Sequence, residues 1–191
     1  MTTKTLPWKL VAGTAALGAA VLTLTLAAKH KEDGVDLVAR GKYLVATMGC
    51  ADCHTPLSMG ANGPERNPAR HLSGHPETLA MPPAPAVPPG PWMFVGSATL
   101  TAWSGPWGTS FTANLTPDRE TGLGTWTPEQ FIETIRNKRH LGRGRPLLPP
   151  MPAEFYAHLT DEDLRCVFAY LQSIPAVKNR VPEPLPPAEQ G

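Results

Sequence analysis

The five consecutive residues Cys50-Ala51-Asp52-Cys53-His54 have the types and spacing best suited in this chain to hold a cofactor. A Cys-x-x-Cys-His sequence is the attachment signal for a c-type haem. The two thiols add across the vinyl groups of the porphyrin, and the two intervening residues place the sulfurs one helical turn apart. The adjacent histidine is then held where it can bind the iron as its proximal ligand. The motif therefore predicts one covalent haem c on Cys50, Cys53 and His54.

Two other uses of a Cys-x-x-Cys pair fit the rest of the chain less well. A tetrahedral zinc site needs a second pair of ligands, and only Cys166 and scattered histidines remain. A redox-active dithiol is expected beside alternating strands and helices, and no such alternation is present. Haem attachment leaves Cys166 as the third cysteine, so no internal disulfide is predicted. We expect Cys166 to be either partly exposed or facing a partner subunit.

The elements that must position this motif are predicted to be helices. Apolar residues recur at near-helical intervals over residues 36–48, and capping signals at Thr127 and Thr160 open helices predicted over 128–138 and 161–173. This order of three predicted helices, together with the haem motif, resembles the single-haem, class I-like c-type cytochromes. The resemblance implies a mainly α fold around one haem, with Gly41 and Tyr43 at the crossing of the first and last helices.

The stretch SFTANLTPDRETGLGTWTPEQF, residues 110–131, is similar to one in bacterial cytochrome c domains that accompany membrane dehydrogenases. That resemblance implies that Asn114, Thr116 and Trp126 donate hydrogen bonds to the haem propionates. The helix after this stretch ends in a basic run over residues 136–145. These cations either stabilise the helix C-terminus or form a basic patch that steers an acidic redox partner.

Met151 is the predicted sixth ligand of the iron. It follows the middle helix and precedes the last one, where class I cytochromes carry their axial methionine, and it lies between Pro150 and Pro152. The prolines restrict the backbone and lower the cost of ordering the thioether. Packing roles are expected for the other methionines of the domain, which are Met48, Met59, Met81 and Met93.

Residues 55–107 are rich in proline and glycine and have no helical or strand period. We predict a long loop insertion that either wraps the haem edge or presents a surface to a partner. Aromatic residues such as Trp92, Phe94 and Trp103 are concentrated in its second half, which a disordered segment would lack. A short β-hairpin is therefore expected around residues 93–112.

The N-terminal region has the length and composition of a membrane anchor. No charged residue occurs from Leu10 to Ala28, and nineteen helical residues of about 1.5 Å each nearly match the hydrocarbon core of a bilayer. We expect an uncleaved transmembrane helix rather than a removed signal peptide. The predicted organisation is an anchor and linker over 1–32, a cytochrome c domain over 33–180 and a proline-rich, extended tail over 181–191.

These features predict an electron-transfer protein and not an enzyme, because iron with both His54 and Met151 has no open site for a substrate. Haem attachment in c-type cytochromes occurs outside the cytoplasmic membrane, so we expect the haem domain on the periplasmic side in a bacterium. The protein is expected to act in a respiratory or photosynthetic chain, either as a tethered carrier or as a subunit of a membrane complex, with redox proteins as partners. A net charge of +1 gives no support for nucleic-acid binding.

Two alternatives remain open at this stage. The first is a haem enzyme of the peroxidase type, in which the sixth ligand is displaced. The second is a structural or assembly subunit of a membrane complex, in which the proline-rich loop makes the main contribution.

Overall fold

The computed structural model of the chain describes residues 36–87 and 90–187. The chain divides after Asp36, and every element below belongs to the unit that begins at Leu37. The predicted membrane anchor over residues 10–28 lies outside the described residues. Within the described ranges, no helix has the length and apolar character needed to cross a membrane.

The described helices follow the predicted order. They are α1 Leu37–Thr47, α2 Cys50–His54, α3 Pro128–Asn137, α4 Ala153–Tyr156 and α5 Asp161–Ser173, with short 3-10 helices at Pro68–Arg70 and His140–Gly142. The three predicted helices are confirmed as α1, α3 and α5. Thr127 and Gln130 form a reciprocal capping box at the start of α3, and the Thr160 side chain caps α5.

Helices α1 and α5 cross at Gly41, as predicted. A Cβ atom at this position would overlap the carbonyl oxygen of Cys166, so only glycine permits the approach. The expectation for Tyr43 is wrong, because two residues turn the helix by about 200° and leave this ring 58% exposed. The expectation for Cys166 is also wrong: it is 0% exposed, because its backbone lies at the crossing itself.

In the part of the chain that the structure describes, two small antiparallel sheets form within the insertion and just after it. The first pairs β1 Leu57–Gly60 with β2 Gly63–Arg66, and the second has the order β3 Val95–Gly96, β4 Ala102–Gly105, β5 Gly108–Phe111. The hairpin predicted around 93–112 is confirmed by β4 and β5, which pair Ala102 with Phe111. The β1–β2 hairpin is not anticipated, because four-residue strands rich in Gly and polar residues are too short to show an alternating pattern. The insertion is therefore partly sheet rather than a loop throughout.

The hydrophobic core lies where α1, α3 and α5 meet. Leu44, Phe131 and Leu164 represent their buried faces, and the rings of Phe131 and Phe168 pack with centroids 5.5 Å apart. Burying each such side chain contributes about 1.5–3 kcal/mol. Met48 packs against this core, whereas the packing roles expected for Met59 and Met93 are wrong, since these side chains are 79% and 62% exposed.

The segment after α5 runs back across the domain, and we call residues 177–185 the strap. The strap is not helical, which agrees with the extended conformation predicted for the tail. Its side chains and backbone are nevertheless hydrogen-bonded to the rest of the domain. Asn179 is 0% exposed, and its side chain donates to the carbonyl oxygens of Ser73 and His75 at 2.7 and 2.8 Å. At the far end, Leu185 and Thr109 exchange two backbone hydrogen bonds of 2.9 Å. The strap thereby joins the insertion to the C-terminal end of the described chain.

Candidate haem site

His54 is positioned by a short helix and by a backbone carbonyl from a distant segment. Helix α2 begins after Gly49, which adopts a left-handed conformation with φ of 68°. His54 is buried, and its Nδ1 lies 2.8 Å from the carbonyl oxygen of Ala113. Nδ1 must carry the proton for this bond to form, so Nε2 keeps the lone pair that a metal needs. Burial lowers the pKa of His54, which favours the neutral imidazole.

The two cysteines of the motif lie on the same turn as His54. Both are partly buried. Burial raises the pKa of Cys50 to about 11 and also raises the pKa of Cys53, so at neutral pH both side chains are thiols. A thiol S–H is the form that adds across a vinyl group to give a thioether. The local structure therefore suits the chemistry that the motif predicts.

A cavity of about 880 Å³ opens beside this turn. Its size lies within the range of cofactor pockets. Its walls include Cys50, Cys53 and His54 on one side, and Met151 also lies on the wall. Its apolar wall comes from the core helices and the turn before α3, through Leu123, Phe131, Ile135, Leu164, Val167 and Leu171. The predicted attachment residues and the predicted sixth ligand are thus brought to one cavity.

Residues 147–152 form the segment that carries Met151, and we call it the Met151 loop. A tight turn joins Met151 N to Leu148 O at 3.2 Å, and Ala153 N, at the start of α4, bonds Met151 O at 2.8 Å. The Ser110 hydroxyl in β5 donates to Pro149 O at 2.6 Å. The second sheet of the insertion therefore holds the Met151 loop in place.

A second set of hydrogen bonds fixes α4, the helix that follows the Met151 loop. The Tyr156 hydroxyl donates to Met48 O at 2.7 Å and so links α4 to the end of α1, two residues before Cys50. Burial raises the pKa of Tyr156 to about 12, which keeps this donor protonated. The Arg136 guanidinium donates to the carbonyl oxygens of Ala157 and Leu159 beyond α4. The loop is therefore held from both ends.

Asn114 and Thr116, predicted to bind propionates, are engaged inside the protein. Asn114 donates to Val177 O at 2.8 Å and accepts from both the amide and the hydroxyl of Thr116. Asn114 lines the cavity, whereas Thr116 is 0% exposed and does not. Their hydrogen bonds hold the turn at 114–121 against the strap. The propionate contacts implied by the resemblance stay a prediction.

Two indoles on the cavity wall are better placed to meet a polar group of a cofactor. Trp126 is half-buried there and packs edge-on against His140 at 5.2 Å. Trp103, which the sequence indicated only as a packing residue, also lines the cavity, and its buried Nε1 has no hydrogen-bond partner in the described part of the chain. The wall also carries three arginines and two glutamates, so its net charge is positive; they are Arg119, Arg145, Arg180, Glu120 and Glu183. This set suits a cofactor with an apolar ring and anionic substituents.

The basic run at the end of α3 is mostly committed to contacts within the protein. Besides its two carbonyl partners, Arg136 pairs with Asp161 at 2.6 Å. Lys138 pairs with Glu154 at 2.6 Å, and Arg145 lies 3.4 Å from Glu183 of the strap. These contacts favour the structural interpretation of the run over a basic patch for an acidic partner.

The strap is the part of the site that sequence reasoning missed. Residues 180–184 line the cavity, although the sequence predicts residues 181–191 to be a tail outside the domain. The anchor, Asn179, is a lone polar residue in a proline-rich segment, and no pattern marks it. Tyr156 offered a weak signal, since an aromatic residue so soon after the proline-flanked methionine is available to pack beside it.

The geometry defines the class of the protein. A buried neutral histidine with a free Nε2, two thiols on the same turn and an apolar cavity with cationic groups fit haem c. The family model described as Cytochrome c matches residues 38–175, and the chain belongs to the cytochrome c family. The prosthetic group is haem c, covalently bound, and Cys50, Cys53 and His54 form its attachment motif.

Three curated relatives are named as cytochrome subunits of bacterial dehydrogenases. The chain is 27% identical over 180 residues to the cytochrome c subunit of the quinone-dependent alcohol dehydrogenase of Gluconobacter oxydans, which covers 92% of this chain and 29% of the relative. It is 29% identical to the fructose dehydrogenase cytochrome subunit of Gluconobacter japonicus, over 77% of this chain and 24% of the relative. It is 28% identical to the gluconate 2-dehydrogenase cytochrome c subunit of Pantoea cypripedii, over 78% of this chain and 26% of the relative. The chain thus spans less than a third of the length of these relatives.

Proposed function

We propose that this chain is the electron-transfer subunit of a bacterial dehydrogenase complex, with His54 and Met151 as the two axial ligands of one haem c. The proposed location is the periplasmic face of the cytoplasmic membrane, with residues 10–28 as the anchor. The observation that carries the proposal is that Met151 lines the same cavity as Cys50, Cys53 and His54. Relatives named as cytochrome subunits of dehydrogenases support the role as a subunit.

When bound, haem c supplies a one-electron couple between its ferric and ferrous states. The residues of the chain bind and orient it. His54 is held by Ala113 in the tautomer that can ligate, and the Met151 loop is held by Ser110 and Tyr156, so that its thioether is presented with little loss of freedom. The apolar wall excludes water and favours the reduced state, which carries less charge.

Absorption spectroscopy of the purified protein and two Met151 variants tests the ligand assignment. The oxidised protein should show the weak methionine–iron charge-transfer band, and Met151→Ala and Met151→His should abolish it. Met48→Leu is the matched control, because Met48 also lines the cavity. Retention of the band in Met151→Ala, or its loss in Met48→Leu, would contradict the assignment.

Purification in mild detergent tests the role as a subunit. A stoichiometric dehydrogenase subunit should co-elute with the haem. Cyanide should bind the oxidised wild-type protein weakly, because the sixth position is taken. Ready binding of cyanide or peroxide would favour the haem-enzyme alternative instead.

A further inference from the structure

Residues 78–117 contain no Asp, Glu, Lys, Arg or His. With 17% charged residues overall, forty residues would be expected to include about seven charges. Much of this stretch nevertheless lies at the surface, because residues 82–86 and 90–94 are exposed. A long uncharged segment that faces solvent is atypical of a monomer surface, where charged side chains predominate among exposed residues.

Three consecutive residues of this segment form what we call the apolar patch, Trp92–Phe94. Trp92 is 78% exposed, Met93 is 62% exposed and Phe94 is 38% exposed. Aromatic residues and methionine are enriched at the centre of protein–protein interfaces, and charged residues are depleted there. Tryptophan in particular is frequent among the residues that dominate binding energy. The patch thus has the composition of an interface centre.

The apolar patch is joined to the haem cavity through a single indole. The ring of Phe94 packs edge-on against Trp103, with centroids 6.0 Å apart and an interplanar angle of 71°. Trp103 in turn lines the cavity. Phe94 also contacts Trp107 at 5.9 Å, so the patch rests on an aromatic cluster supported by the second sheet. A partner seated on the patch would lie close to the haem.

We propose that the apolar patch is the docking surface for the cofactor-bearing protein subunit that exchanges electrons with this haem, an inference that rests on the proposed function. A lipid surface fits less well, because membrane-interface sites combine aromatic residues with Lys or Arg that contact lipid phosphates, and residues 78–117 include neither. The partner face is correspondingly apolar and uncharged. Association through such a surface depends little on ionic strength.

The first test compares the complex of the full chain with that of a Trp92→Ser/Met93→Ser double variant. Both side chains are largely exposed, so haem content and the haem spectrum should be unchanged. The dissociation constant for the dehydrogenase subunit should rise at least about tenfold, and the affinity of the wild-type complex should change little between low and high salt. Met59→Ser is the matched control, since Met59 is 79% exposed but lies on β1, outside the uncharged segment.

The second test identifies the occupant by photocrosslinking in the native complex from Trp92→benzoylphenylalanine. A crosslink to the cofactor-bearing dehydrogenase subunit is expected. A crosslink to lipid or to a second copy of this chain would overturn the inference, as would an unchanged affinity of the double variant. Absence of any cofactor-bearing subunit from the wild-type preparation would instead overturn the proposed function, and the docking surface with it.

Discussion

We expect Asn179 to contribute most of the hydrogen bonds that hold the strap in place. The loss of unfolding free energy on replacing it by alanine can be worked out from those bonds. Its side chain donates to Ser73 O and His75 O at 2.7 and 2.8 Å and accepts from Arg70 at 2.6 Å and from Glu77 N at 2.9 Å. Each bond contributes about 0.5–1.5 kcal/mol net, or about 2–6 kcal/mol for the four. Water entering the vacated polar site recovers part of this, so we expect a loss of about 2–4 kcal/mol.

Urea unfolding of the haem-loaded protein, followed by haem absorption, measures that loss. Asn137→Ala is the control, because Asn137 is exposed and its side chain donates one bond, of 3.0 Å, to Gly142 O; its cost should stay below about 1 kcal/mol. Amide hydrogen exchange gives a local readout. Asn179→Ala should accelerate exchange at Leu185 and Thr109, whose backbone pairing ends the strap.

Two results would refute this reasoning. One is an unfolding free energy of Asn179→Ala that lies within about 1 kcal/mol of the Asn137→Ala value. The other is unchanged protection at Leu185, which would mean that the strap is held by its other contacts, such as the ion pair of Glu183 with Arg145.

Three further predictions concern packing, the Met151 loop and pH. Gly41→Ala should destabilise the domain by about 2–4 kcal/mol in urea unfolding, because its methyl group would overlap Cys166 O; an unchanged midpoint would contradict the close crossing. Ser110→Ala removes the bond to Pro149 O, worth about 1 kcal/mol, so imidazole should bind the oxidised protein about fivefold more tightly; equal affinity would show that the sheet does not hold the loop. Burial lowers the pKa of His75 from 6.5, so stability should fall as the pH drops below 6.5 towards the folded-state pKa, and His75→Gln should flatten that slope in unfolding titrations.

Sequence signals that act within a few residues, such as helix caps, were sufficient to predict helices α1, α3 and α5. Capping residues such as Thr127 act within one turn of their own helix, and the resulting capping box is present. Gly41 was informative for a similar reason, since a glycine within a helix has few explanations other than a close crossing. The attachment motif is contained within five residues, so the sequence alone identified the residues that meet at one wall of the cavity.

Long-range hydrogen bonds were not predictable in the same way. Asn114 follows the pattern that implied a propionate donor, and nothing in that pattern indicates that its side chain donates to Val177, 63 residues away. Asn179 reaches back more than 100 residues to the insertion. Long-range hydrogen-bond partners cannot be recognised from sequence periodicity. A single polar residue in an irregular segment belongs to no repeating pattern, and its partner is brought close only by folding.

The position of the strap in the chain also predicts an order of events during biosynthesis. Residues 180–184 come later in the chain than every other part of the cavity wall. Under the proposed export from the N-terminus, we expect the two thiols and His54 to emerge well before these residues. We therefore expect the porphyrin to enter through a side that is still open, and the strap, anchored by Asn179, to close that side after the cofactor is bonded.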